Sequence, residues 1–264
     1  MEIISLSSGS SGNCILIECD GTYILVDVGI SAKSVETKLE EIGINGTDIS
    51  AILVTHEHKD HISGLKLFAS RYGMPVYASY GTVEALLESM GDNSIPQGFI
   101  IPISPDMNFK IGNLNIMPFR VSHDAKEPVS YRIDTPHASC AVVTDIGTYD
   151  DDTINKLLGL NAIYIEANHD ENILSVGAYP YFLKERILSD EGHLSNNNCG
   201  RLLSKIYSPL LKNIMLGHLS KNNNFPELAY ETVRSELLLS CDGYYLEESS
   251  IKIASEDMVC RMSF

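Results

Sequence analysis

The sequence predicts an α/β fold in which two β-rich halves, each with helices on one face of its sheet, pack sheet on sheet. Two observations lead there. Apolar runs of strand length recur along the chain, with segments of helical periodicity between them. The runs also form two similar sets. Val26-Asp27-Val28-Gly29 is echoed by Thr144-Asp145-Ile146-Gly147. Ala51-Ile52-Leu53-Val54, leading to His56 and His58, is echoed by Ala162-Ile163-Tyr164-Ile165, leading to His169.

Taken in order, Tyr23 to Val26 reads as a strand ending in Asp27. Ser34 to Ile42 carries Val35, Leu39 and Ile42 at helical spacing, and Gly43 supplies its stop. Ala51 to Val54 is the next strand. Thr82 to Met90 and Asp151 to Leu158 read as helices on either side of the Ala141–Val143 strand. Pro226 to Leu239 is a helix with proline in its first turn, followed by Glu227. Tyr244-Tyr245-Leu246 and Ile251-Lys252-Ile253 read as closing strands. His137, in Asp134-Thr135-Pro136-His137-Ala138, reads as a surface residue of a hairpin turn.

At 264 residues, with 44% hydrophobic and 20% charged residues, the chain has ordinary soluble composition and reads as a single domain over 1–264. No apolar run is long enough to span a bilayer, and Met1-Glu2-Ile3-Ile4 does not open a signal peptide. A cytoplasmic location with no membrane partner is therefore expected. Cys14, Cys19, Cys140, Cys199, Cys241 and Cys260 are scattered without a Cys-x-x-Cys pair, so reduced structural thiols are expected. The sequence specifies no oligomeric state.

The most informative stretch is His56-Glu57-His58-Lys59-Asp60-His61, which holds three of the chain's eight histidines directly after an apolar strand. In extended chain, side chains two apart share a face, so His56 and His58 can share one ion. Asp60 and His61 can serve a second if the chain turns there. Zinc, iron and manganese all accept this nitrogen and oxygen donor set.

His-x-His-x-Asp-His-x-x-Gly, read as His56, His58, Asp60, His61 and Gly64, resembles the signature of the metallo-β-lactamase fold superfamily. That superfamily's other landmarks have counterparts here in order: Asp27, His123 in Val121-Ser122-His123-Asp124, Asp145, and His218 in Gly217-His218-Leu219-Ser220. More narrowly, four segments resemble the YycJ/WalJ family. They are Ser5 to Cys14, Glu166-Ala167-Asn168-His169-Asp170, Ser189 to Asn196, and Gly217 to Asn223. The resemblance implies a four-layer αβ/βα sandwich of the metallo-β-lactamase fold. The chain has no room for the inserted β-CASP domain of RNase J and CPSF-type nucleases.

The resemblance also implies a site of two divalent metal ions. His56, His58 and His123 would hold one ion, Asp60, His61 and His218 the other, and Asp145 would bridge them. Asp27 would stand behind the ligands and fix their loop. The implied activity is phosphodiester hydrolysis through a metal-bridging hydroxide, as a 5′→3′ exonuclease on nucleic acid, DNA ahead of RNA, with Asp60, Asp145 and His193 catalytic. In related phosphodiesterases and RNase Z, a histidine upstream of the last ligand contacts the phosphate and protonates the leaving oxygen. His193 in Gly192-His193-Leu194-Ser195 fits that place; the plainer reading is a loop histidine at a helix start, and the two Gly-His-Leu-Ser segments admit an exchange of roles with His218.

His169 is expected behind the ligands or in a structural role. Ser10, Ser11 and Asn13 lie in a Gly/Ser turn that either cradles phosphate on backbone amides or is only a turn. The net charge of −16 opposes a nucleic-acid substrate. A local basic rim from Lys184, Arg186, Arg201, Lys205, Lys212 and Lys221 would answer it; ordinary surface lysines are the other reading. The acidic balance favours the alternative substrates, a small or cyclic phosphodiester or a glyoxalase II-like thioester. A non-enzymatic protein that keeps metal for stability fits the full ligand set poorly. The Asp60-His61 pair departs from the antibiotic-hydrolysing branch with a mononuclear or cysteine-containing second site.

Overall fold

The computed structural model describes residues 1–90, 97–240 and 251–264. Numbered in chain order, one sheet contains β1 (Glu2–Ser7), β2 (Cys14–Cys19), β3 (Thr22–Val26), β4 (Ile49–Leu53), β5 (Val76–Ser79), β6 (Ile100–Ile103) and β14 (Cys260–Ser263). Its order is β14-β1-β2-β3-β4-β5-β6. The other contains β7 (Phe109–Ile111), β8 (Leu114–Arg120), β9 (Val129–Asp134), β10 (Ser139–Val143), β11 (Ala162–Glu166), β12 (Asn213–Gly217) and β13 (Ile251–Ile253). Its order is β13-β12-β11-β10-β9-β8-β7.

Period-two burial explains why the sheets stack. Ile15 and Ile17 of β2 meet Tyr131, Val142 and Tyr164 of the opposing sheet in a core between the two sheets. Leu16, between them, turns to the other face. There it joins Val35 and Leu39 of α1 (Ala32–Glu41) and Leu65, Phe68 and Ala69 of α3 (Leu65–Tyr72). On the far side, Val143, Ile165 and Leu216 pack on α5 (Asp151–Leu157), α8 (Asn196–Ile206) and α9 (Pro226–Ser240). Three apolar cores separate four layers, so the expected αβ/βα sandwich is what forms. Among the described residues no connection carries an inserted domain, and no helix is long and apolar enough to cross a membrane.

The sequence-predicted helices are present with small boundary shifts. Ser31 caps α1 by accepting from the Ser34 amide at 3.1 Å, which starts it before Ser34. Gly43 ends it in left-handed backbone, φ +77°. Helix α4 (Tyr80–Met90) begins two residues before Thr82, and Asp150 caps α5. The Tyr244–Leu246 strand and Cys241 lie outside the described residues. Cys14, Cys19, Cys140, Cys199 and Cys260 are free thiols, and His137 is exposed in its hairpin turn.

The topology also fixes where chemistry can occur. Strands β3, β4, β5 and β6 run parallel, as do β10, β11, β12 and β13. Side chains that follow β3, β4, β10, β11 and β12 therefore emerge where the carboxyl ends of the two sheets meet. The loop after β4 folds into α2 (Lys59–Ile62) and is tied to the end of β3. The Asn13 amide donates to the Asp60 carbonyl at 2.8 Å, the Val28 amide to the His61 carbonyl at 2.9 Å, and the Gly64 amide to the Val28 carbonyl at 2.9 Å.

This closeness requires glycine. A Cβ on Gly29 would lie 1.7 Å from the Asp60 carbonyl oxygen, and one on Gly64 2.1 Å from the Ile30 carbonyl oxygen. The Gly64 of the histidine motif is thus a backbone-approach residue. Gly29→Ala is expected to cost about 2–3 kcal/mol in urea denaturation, the scale of overpacking a filled site. Gly98→Ala, where a Cβ meets nothing within 4 Å, serves as the neutral control. Equal midpoints for the two variants would refute the tight approach.

Candidate metal centre

Three residues at the strand ends adopt left-handed backbone: Asp27 (φ +61°), Asp145 (φ +54°) and His218 (φ +54°). Each such non-glycine residue stores about 1–3 kcal/mol, and such residues concentrate at functional sites. The turns bring the side chains of both halves into one buried cluster.

His56, His58 and His123 offer donor atoms within 4.8 Å of one another. Two of the rings are oriented from the opposite side. His56 Nδ1 lies 3.0 Å from Thr55 Oγ1, and His123 Nδ1–H donates to the Gly192 carbonyl at 3.0 Å. His56 Nε2 is buried with no hydrogen-bond partner. His58 Nδ1 lies 3.3 Å from His123 Nε2. Burial, then the charge of His61, pushes the His56 pKa well below its usual value, which keeps the ring neutral and able to ligate.

Asp60, His61 and His218 form a second group within the same limit of 4.8 Å. His61 Nδ1–H donates to Asp27 Oδ2 at 2.7 Å, so Nε2 faces inward, 3.4 Å from Asp60 Oδ2. His218 Nε2 lies 3.5 Å from the same Asp60 oxygen and is buried without a hydrogen-bond partner. Asp145 stands between the groups. Its Oδ1 is 3.7 Å from His123 Nε2, and its Oδ2 is 3.1 Å from His61 Nε2. Burial opposes its ionisation, but His218 and His61 outweigh it and hold the carboxyl well below the usual range. Orphaned imidazole nitrogens converging with carboxylates are what a divalent cation needs, so these residues fit metal.

Asp27 is fully buried. Its Oδ1 accepts from the Thr55 amide and its Oδ2 from Thr55 Oγ1, each at 2.8 Å. It therefore stands behind His61, facing away from the cavity. His193 lies beside Asp145, 3.6 Å from its Oδ1, with a side chain 15% exposed. Ser10 lines the cavity with His58, Asp60, His193 and His218. Ser11 is exposed outside that lining, and Asn13 is fully buried, accepting from the Gly9 amide at 3.0 Å. The Gly9, Gly12 and Asn13 amides are spent on the turn itself and on Asp60. His169 is buried with neither ring nitrogen bonded, and burial lowers its pKa to about 4. It belongs to none of the donor groups found among the described residues. Its carbonyl accepts from the Asn196 amide at 2.9 Å, in a parallel bridge with Ser195.

Sequence reasoning gave Glu166 no role of its own. It is fully buried at the end of β11. Its Oε1 accepts from His193 Nδ1–H at 2.7 Å and from His218 Nδ1–H at 2.8 Å, while Oε2 accepts from the Ile146 amide at 3.1 Å. Burial opposes its charge, yet His193 and His218 hold its pKa down at about 2. The same contact raises the His193 pKa against burial. The signal was present: Ala162-Ile163-Tyr164-Ile165-Glu166 ends an apolar strand in a carboxylate, as the strands before Asp27 and Asp145 do.

A four-layer αβ/βα sandwich with a histidine and aspartate cluster at its shared sheet end defines the β-lactamase superfamily domain, whose family profile matches residues 22–215. Within that superfamily the chain belongs to the YycJ/WalJ family. It is 39% identical over 232 residues to Exodeoxyribonuclease YycJ of Bacillus anthracis, covering 88% of this chain and 87% of that protein. It is 41% identical over 234 residues to Exodeoxyribonuclease WalJ of Streptococcus pneumoniae serotype 2, covering 88% and 86%. The crystal structure of the metallo-β-lactamase fold protein YhfI from Bacillus subtilis superimposes with a TM-score of 0.69 at 17% identity over 99% of both chains, a likeness of fold.

Because Glu166 orients a candidate ligand, Glu166→Ala is expected to weaken metal affinity roughly 10- to 100-fold, the scale for partners behind ligating histidines. Calorimetric titration of the metal-free protein with manganese measures it. Affinity equal to the unsubstituted protein would show that His218 needs no such support.

Proposed function

We propose that this protein is a metal-dependent phosphodiester hydrolase that degrades DNA from the 5′ end. The observation that carries the reading is Asp145, with one oxygen toward each histidine group and His193 at its side. Two relatives of matching length carry the name exodeoxyribonuclease.

In this reading His56, His58 and His123 would hold one divalent ion and Asp60, His61 and His218 the other, with Asp145 available to both. The donor set suits zinc, manganese or iron. Such ions would activate water for attack and neutralise charge on the phosphoryl oxygens. The protein's own residues do the rest. Asp27 and Glu166 fix the rings of His61 and His218. His193, whose Nδ1 is occupied by Glu166, carries a proton on its other ring nitrogen. As hydroxide adds to phosphorus and the bond to the leaving oxygen breaks, that proton passes to the leaving oxygen, and the proton given up by the attacking water restores His193 for the next turnover. The placement of His218 against Asp60, and of His193 away from it, supports the ligand role for His218 and the acid role for His193. Donors come from both sheets, which supports the chain working as one domain. Asn13 acts by bracing the turn, and Ser10 by facing the substrate.

The net charge of −16 favours a second reading, a small phosphodiester or thioester substrate. One assay separates them: a 5′-phosphorylated, end-labelled DNA duplex with manganese. Stepwise nucleotide release from the 5′ end is expected, abolished in a folded Asp60→Ala variant. His193→Ala should turn over about 100-fold more slowly with metal content unchanged. Metal loss in that variant would refute the acid role, and an inert metal-loaded protein would refute the nuclease reading.

A further inference from the structure

Of the six basic residues gathered in the stretch around His193 and His218, one reaches the site. Arg186, on α7 (Tyr181–Leu188), is the only lysine or arginine lining the cavity among the described residues. Lys184 donates to the Ser175 carbonyl at 2.7 Å, Arg201 lies 3.7 Å from Glu236, and Lys205 stands over the Tyr149 ring. The expected basic rim is thus reduced to one guanidinium.

We propose that Arg186 anchors a second phosphate of the substrate strand, beside the one the metal centre takes, and so sets where the strand is cut. The inference rests on the phosphodiesterase reading above. Arg186 Nε and Nη2 both donate to the carboxylate of Asp124, the latter at 2.9 Å. Of five guanidinium N–H groups, that leaves three without a partner among the described residues. The side chain is 47% exposed, so those donors are reachable.

Its position is fixed from both ends. Asp124 follows His123 directly and lies 3.9 Å from His58 Nε2, which ties the fork to the rim of the first histidine group. On α7, Leu183 and Ile187 line the same cavity, as does Tyr179 just before the helix. A planar cation beside an uncharged, partly aromatic wall matches one nucleotide unit: phosphate on the open Nη1/Nη2 edge, sugar and base on the wall. Asp124 alone cannot play this part, since a carboxylate repels phosphate. Its role is to hold the arginine still.

The test compares the unsubstituted enzyme with Arg186→Ala and Arg186→Lys on 3′-labelled oligonucleotides bearing a 5′-phosphate or a 5′-hydroxyl. Arg186→Ala is expected to raise KM about tenfold with kcat near normal, and Arg186→Lys to recover part of the loss, since lysine keeps charge without the fork. Melting temperature and metal content should stay unchanged. In the Asp60→Ala background, fluorescence anisotropy should show the same weakening of binding without turnover. A loss confined to 5′-phosphorylated ends identifies the terminal phosphate as the one held; a loss on both ends identifies an internal one. An unchanged KM with the unsubstituted enzyme active overturns this inference alone. So does a fall in kcat together with metal content, which would mean that Arg186 only props Asp124 against the histidines. An unsubstituted enzyme that cleaves neither oligonucleotide overturns the phosphodiesterase reading and this inference with it.

Discussion

Asp145 is the constraint on which the site depends. A carboxylate buried to this degree is costly unless positive charge surrounds it. Here it comes from both halves. His61 comes from the half that carries β4, and His123 and His218 from the other. Asp145 is satisfied only when the carboxyl ends of both sheets meet at the correct distance. Its left-handed backbone turns the carboxylate out of the strand line and into that gap. Packing between the sheets therefore brings the two sides of the centre together. Ile17, Val142 and Tyr164 in the core between the sheets hold the two halves in place.

Each half locks its imidazole with the same device. A strand ends in a buried carboxylate, which accepts from Nδ1–H of a histidine and leaves Nε2 turned toward Asp60. Asp27 does this for His61 at 2.7 Å, and Glu166 for His218 at 2.8 Å. Asp60 Oδ2 then lies 3.4 Å from one Nε2 and 3.5 Å from the other. The two carboxylates are not identical in reach. Asp27 spends its second oxygen on the Thr55 amide, fixing the histidine loop. The longer Glu166 uses one oxygen for two imidazoles, coupling His218 to His193. A candidate ligand and a candidate acid thus share one proton acceptor, so their protonation states are linked.

Much of this was legible in the residues. The apolar runs ending in Asp27 and Asp145 marked the strands, because a strand buried on both faces shows no polar alternation. His56, His58, Asp60 and His61 declared themselves by density in a six-residue window. Helix starts were less legible: α1 begins before its apolar repeat because Ser31 caps it, and capping is a matter of one hydroxyl. Glu166 was missed because a lone acid after an apolar run looks like an ordinary strand end. Its meaning depends on His193 and His218, which are 27 and 52 residues away in sequence. The turn containing Ser10 and Asn13 suggested amides open to phosphate. Only the fold could show that Asp60 had already taken one of them.

Charge explains why the cavity is built as it is. A chain of net charge −16 offers a polyanion no long-range attraction, so recognition has to be local. At short range the acidic residues nearest the site are already engaged. Asp27, Asp145 and Glu166 face imidazoles, and Asp124 faces Arg186. What remains partly exposed there is a rim of histidine, serine, Asp60 and one guanidinium. In the proposed reading a divalent charge concentrated behind that rim would act within a few ångströms, where screening by salt is weak. On the same reading such a site would grip a strand at the reacting phosphate and at the neighbouring one facing Arg186, with little hold beyond them. In that reading the cavity, with one guanidinium among its described lining residues, would let a shortened strand leave readily, which suits removal of nucleotides from an end.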